Sequence, residues 1–101
     1  MEKKLRGTLN EALDRLLQVT LRKRYCRLMS REFLSLVDSQ RDFLFGLVVG
    51  DMLEGLGFCI YGAHKRSPND KEFRELFKMI QERSKEIYEK IESIEPQNEV
   101  D

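Results

Sequence analysis

The sequence predicts an all-α fold: an antiparallel helical bundle of three long helices, or four if the middle one breaks near residues 38–42. Three observations carry that expectation. No run alternates Val, Ile or Thr with polar residues between turn formers, as a half-buried strand would. Proline occurs only at Pro68 and Pro96, and no glycine lies between Gly7 and Gly46. Leucine, isoleucine and phenylalanine recur instead at spacings of three and four, the period of one helix face. At 101 residues and 41% apolar composition, the chain suits a single domain over 1–101. Its ordered core is expected over about 8–94, with a mobile acidic tail over 96–101. Near-average apolar content and two cysteines exclude a collagen, a disulfide scaffold and an intrinsically disordered chain.

The first helix is expected to start at Thr8, because Thr8-Leu9-Asn10-Glu11 has the form of a capping box. Leu9, Leu13, Leu16, Leu17, Leu21 and Leu28 then make one slowly drifting stripe, and Arg22, Lys23, Arg24 and Arg27 give a cationic last turn. A long second helix over about Arg31–Gly62 is favoured, since Phe33, Leu34, Val37, Leu44 and Val48 keep register through Asp38-Ser39-Gln40. The alternative is a break at Asp38-Ser39, with Ser39 as a weaker cap. The third helix is expected to be capped by Ser67, with Pro68 at its first position and Asp70 at its third, and to end at Pro96. Phe73, Leu76, Phe77, Ile80, Ile87, Ile91 and Ile94 form its apolar stripe. Phe33, Leu44, Leu53, Phe58, Phe73, Phe77, Ile80 and Ile87 are expected in the core.

Charge sums to zero but is unevenly spread. Residues 1–31 carry nine cations and three acids (+6), residues 32–62 one cation and five acids (−4), and the rest nets −2. A basic first helix beside an acidic second suits an antiparallel bundle, or a dimer. The zero total removes the simplest electrostatic case for a dedicated nucleic-acid binder. Met1-Glu2-Lys3-Lys4 precedes no apolar run, so no signal peptide is expected. Cys26 and Cys59 are then two reduced thiols of a cytoplasmic protein, with a disulfide between them as the alternative. The abundance of Lys, Arg and Glu is also a habit of thermophilic proteins.

The span Phe43–Gly62 is long enough to cross a bilayer. Its ten Phe, Leu, Val and Ile residues contribute roughly −3 to −6 kcal/mol to insertion. Asp51, at about +2.5 to +3.5 kcal/mol, together with Glu54, offsets this. A buried central helix of a soluble bundle is therefore expected, not a membrane span.

Three groups of residues attract functional readings. Gly46, Gly50 and Gly57 lie within about 40° of one another on a helix, and each is about 1 kcal/mol less favourable there than alanine. A row of glycines admits close approach. The approaching surface is expected to be another helix of this chain near Phe73–Phe77, with a homodimer seam and a ligand groove or membrane contact as alternatives. Asp51 and Glu54 lie one turn apart on an otherwise apolar helix. They are expected to be solvated or paired with Arg22, Arg24 or Arg27, with a carboxylate metal site or an acid/base pair as the alternative. The usual Glu-x-x-His repeat of such sites is absent, and the only histidine, His64, lies ten residues beyond Glu54. Arg22, Lys23, Arg24, Arg27 and Arg31, with Tyr25 among them, make a basic patch that could follow a phosphate backbone, but no nucleic-acid-binding signature accompanies it.

No nucleotide-binding glycine loop, nucleophile elbow or Cys–His spacing is present, so no enzyme and no cofactor are expected. The leading expectation is a non-enzymatic interaction module that self-associates, or binds a protein partner, through the glycine-lined central helix. A small nucleic-acid-associated regulator using the patch 22–31 is the first alternative, and a metal- or ligand-binding bundle at Asp51 and Glu54 the second.

Overall fold

A computed structural model describes residues 1–19 and 23–94, the side chains of Val19, Lys23 and Arg24 apart. Expectations that fall on Leu21, on Arg22 or on the tail 96–101 lie outside the described residues. The described chain is all-α, with five helices: α1 (Lys3–Val19), α2 (Lys23–Phe33), α3 (Gln40–His64), α4 (Asp70–Glu82) and α5 (Ser84–Glu92). The four other helices each pack against α3. At 25 residues, α3 runs about 37 Å through a molecule 47 Å long.

Helix α1 begins five residues before the expected cap. Leu5 extends the stripe of Leu9, Ala12, Leu13 and Leu17 back by one turn, and all five are buried. Burying Leu5 requires that extra turn to be helical. The Thr8 hydroxyl therefore lies mid-helix, where it donates to the Lys4 carbonyl at 3.2 Å instead of capping. The expected cationic end of the first helix is separate structure: Lys23, Arg24, Arg27 and Arg31 belong to α2. That helix buries Cys26 and Ser30, one turn apart, and leaves Leu28 exposed.

The chain does not run unbroken from Arg31 to Gly62. After α2 comes a 3-10 turn, Leu34–Leu36, and Val37 is extended at φ −128° and ψ 149°. Ser39 then caps α3, its hydroxyl accepting the Asp42 amide at 3.1 Å. The break is the Asp38-Ser39 alternative: the cap satisfies an amide that a continuous helix would have bonded internally. At its other end α3 stops at Lys65, in the left-handed conformation (φ 59°), whose amide closes on the Tyr61 carbonyl at 2.7 Å.

Helix α4 is capped by Asn69, not Ser67. Asn69 Oδ1 accepts the Glu72 amide at 2.8 Å, and Glu72 Oε1 accepts the Asn69 amide at 2.9 Å. This reciprocal pair satisfies two amides where a serine two residues earlier would satisfy one. Pro68 therefore precedes the cap, and Asp70 is the first helical residue. The expected third helix is in fact two, divided at Arg83 (φ −105°, ψ 8°). The Arg83 guanidinium bonds Asp14 of α1 at 2.8 Å and Glu86 of α5 at 3.0 Å, tying the junction to the first helix.

The core is aliphatic. Leu44, Val48, Met52, Leu56 and Ile60 bury one edge of α3 against Leu9, Leu13 and Leu17 of α1, Leu76 and Ile80 of α4, and Ile87 and Ile91 of α5. Leu44, Ile80 and Ile87 lie where expected, while Leu53 and Phe73 are only partly buried. Phe33, Phe58 and Phe77 are exposed, against expectation. The i, i+4 stripe of α3 turns one edge inward, and Phe58, 200° round the helix from Leu56, is turned away from it.

Candidate functional surface on helix α3

The site is the side of α3 that faces away from the core. Starting from the buried stripe, the helical period carries Gly46, Gly50, Glu54 and Phe58 to a second row, and all four are exposed. Phe58 is 67% exposed and Tyr61, one turn further, 53%. Among the described residues, a Cβ on Gly46 or Gly50 would meet nothing within 4 Å, and one on Gly57 would touch Pro68 Cγ at 3.9 Å. The expected intramolecular crossing over the glycine row therefore does not exist at Gly46 and Gly50. Their surroundings are open, and the Phe73–Phe77 region does not cover them.

The close approach within the chain occurs at Gly55, which the sequence reading passed over. A Cβ there would lie 3.3 Å from Leu16 Cδ1. The signal that could have found it is its position beside Leu56 on the edge that faces α1. Leu16 belongs to the α1 stripe, so α1 settles against α3 where the side chain is missing.

An open groove of about 500 Å³ borders the exposed row, formed by Leu53, Gly57, Phe58 and Tyr61 of α3 with Pro68 and Phe73 beyond the turn. Glu54 stands at its rim. On another side of α3, a smaller groove of about 290 Å³ lies among Phe45, Val49, Phe77 and Ile80.

Asp51 is half-buried and Glu54 exposed. No ion pair reaches either from the described residues, and Arg27 is not brought to them. Among the described residues, no three His, Cys, Asp or Glu side chains form a group that could hold a metal ion.

Polar clusters sit at both ends of α3. At the carboxyl end Arg66 grips Glu72 through both guanidinium nitrogens, at 2.7 and 3.3 Å, and His64 Nε2 lies 3.9 Å from the same carboxylate. The Arg66 contact and the Asn69 amide hold the Glu72 carboxyl down at about 2. This cluster fixes the turn that carries Pro68 beside the groove. At the amino end Tyr88 of α5 stacks on Phe45 (4.3 Å between ring centroids) and donates its hydroxyl proton to Asp42 at 3.2 Å. Arg41 lies 4.2 Å above the Tyr88 ring and bonds Glu92 at 3.0 Å. Partial shielding from water and the Asp42 carboxylate raise the Tyr88 phenol above its ordinary value.

No disulfide joins Cys26 and Cys59, the first buried and the second half-buried. By length and composition, α3 is the one helix among the described residues that is apolar enough to cross a membrane, with a mean hydropathy of 1.8 over its most apolar stretch. Only 28% of that stretch is buried, so α3 is less enclosed than the expected core helix. Comparison with protein-family models, with curated proteins and with solved structures returns no match. What the chain does must therefore be argued from this surface.

Proposed function

We propose that the protein is a non-enzymatic cytoplasmic interaction module that self-associates through the open row of α3. One observation carries the reading: Gly46 and Gly50 are exposed on a long apolar helix, and a Cβ at either would meet nothing within 4 Å among the described residues. Glycine weakens an exposed helix position by about 1 kcal/mol relative to alanine and packs nothing within this chain. Two such positions one turn apart, continued by the exposed ring of Phe58, make a surface of small and large residues that suits a second helix. In a parallel pairing through this row, Glu54 would face Glu54 of the second copy; an antiparallel pairing separates them.

Sedimentation velocity across a dilution series tests the proposal, with wild type beside Gly50→Leu. Open space around Gly50 means that the variant folds with unchanged helicity. Wild type is expected to sediment as an oligomer that dissociates on dilution, and the variant as a monomer at concentrations where wild type is still assembled. A wild type that is monomeric throughout, or an oligomer indifferent to the substitution, would reject the seam.

A further inference from the structure

A different surface, at the α2 end of the molecule, combines exposed apolar side chains with positive charge. Eight large hydrophobic residues are exposed among the described residues, and five of them fall between 25 and 36: Tyr25, Leu28, Phe33, Leu34 and Leu36. Leu36, at the end of the 3-10 turn, is 75% exposed, the most of any of them. The helix that leads into these residues is basic. Helix α2 carries Lys23, Arg24, Arg27 and Arg31 against Glu32 alone, a net of +3 in 11 residues. Among the described side chains of α2, Cys26 and Ser30 are buried, Arg27 and Met29 half-buried, and Tyr25, Leu28, Arg31, Glu32 and Phe33 exposed.

We propose that α2 and the turn Leu34–Leu36 form a docking edge for an anionic lipid bilayer surface. Cationic side chains beside exposed leucine and aromatic residues match a membrane interface, where lipid phosphates and serine carboxylates lie just above the acyl chains. A nucleic acid would satisfy the cations but offers nothing to Leu34 and Leu36, because its backbone is polar and its bases stack on flat rings. A second copy meeting edge to edge would set α2 against a like-charged α2. Of these three occupants, the bilayer is the one that complements both halves of the surface. Docking of this kind leaves α3 within the fold, and it holds whether or not the glycine row self-associates.

Co-sedimentation of the purified chain with phosphatidylcholine vesicles, with and without phosphatidylserine, tests the inference. Binding is expected only with phosphatidylserine, and it should fall as salt is added. Arg27→Gln should weaken it about fivefold, the effect of one cation near a charged surface. Leu34→Ser/Leu36→Ser should weaken it by at least about tenfold. Both leucines are exposed, so circular dichroism and Tm of the double variant should match wild type. Phe58→Glu, on the open row of α3, should bind as wild type does. Equal binding to neutral vesicles, no binding to either, or full binding by the leucine double variant would overturn the proposal. Binding to a labelled DNA duplex without vesicle binding would also overturn it and assign the cations to nucleic acid.

Discussion

Two edges of α3, built from one continuous apolar sequence, do opposite work. The edge of Leu44, Val48, Met52, Leu56 and Ile60 is sealed by three other helices, and none of its side chains is more than 2% exposed. The row of Gly46, Gly50, Glu54 and Phe58 is exposed, and a Cβ on either glycine would meet nothing within 4 Å among the described residues. The sealed edge is uniformly apolar and medium-sized and fills space evenly, whereas the open row steps from two glycines to the carboxylate of Glu54 and the ring of Phe58. Even volume suits a permanent core, and steps of volume suit a surface that another helix can enter.

The largest expected effect contrasts the two edges directly. Leu56→Ala should lower stability by about 2–5 kcal/mol, because it opens a cavity among helices that cannot close over it. Phe58→Ala, two residues away, should leave monomer stability within about 0.5 kcal/mol, although it removes a larger side chain. Urea denaturation of the two variants at low protein concentration separates them.

The glycines divide in the same way. Gly55→Leu should destabilise by about 1–3 kcal/mol, since a Cβ already crowds Leu16 at 3.3 Å and a longer side chain must push α1 away. Gly46→Ala should act in the other direction, raising monomer stability by about 0.5–1 kcal/mol. Thermal unfolding of each variant against wild type reads the sign. If both were destabilising, the row at Gly46 would be packed and not open.

The smallest effect concerns the polar cluster that closes the carboxyl end of α3. The Glu72 carboxyl is held at about 2 in the folded chain, below its ordinary 4.5, so the folded state binds fewer protons there than the unfolded state. Its contribution to stability is complete above 4.5 and is lost as pH falls from there through about 2. Glu72→Gln should therefore flatten that part of the acid limb in a plot of Tm against pH, with less change near neutrality than the core substitution produces. An acid limb with unchanged slope would mean that Arg66 and Asn69 do not hold the carboxylate in solution.

The helical class was legible because the period of three and four is strong from Leu9 to Ile91. Element ends were less so. Leu5 lies four residues before Leu9 and marks the true start of α1, a signal masked by the capping-box form of Thr8 to Glu11. Asn69-Asp70-Lys71-Glu72 spells the cap that forms on α4, but Ser67-Pro68 beside it is an equally familiar pattern. The junction at Arg83 carries no breaker, and Ile80 and Ile87 keep register across it; only the tertiary pull of Asp14 and Glu86 marks the place. The inward edge of α3 was legible only at Leu44. A helix that is apolar nearly all round does not say which side is buried, and size then favours aromatics such as Phe58 and Phe77 that the structure leaves outside. Glycines 46, 50 and 57 stood out as a row, but only the structure shows that Gly46 and Gly50 face away from the fold and that Gly55 faces into it.

The open row is tested most directly by Tm measured over a hundredfold range of protein concentration, on wild type and on Gly50→Leu. A seam between copies predicts that the wild-type Tm rises with concentration while the variant's stays constant. At the lowest concentration the variant should melt at or above wild type, because leucine is the better helix former where nothing crowds it. A wild-type Tm that is flat across the range, or a variant that melts well below wild type on dilution, would contradict the assignment of this edge to association.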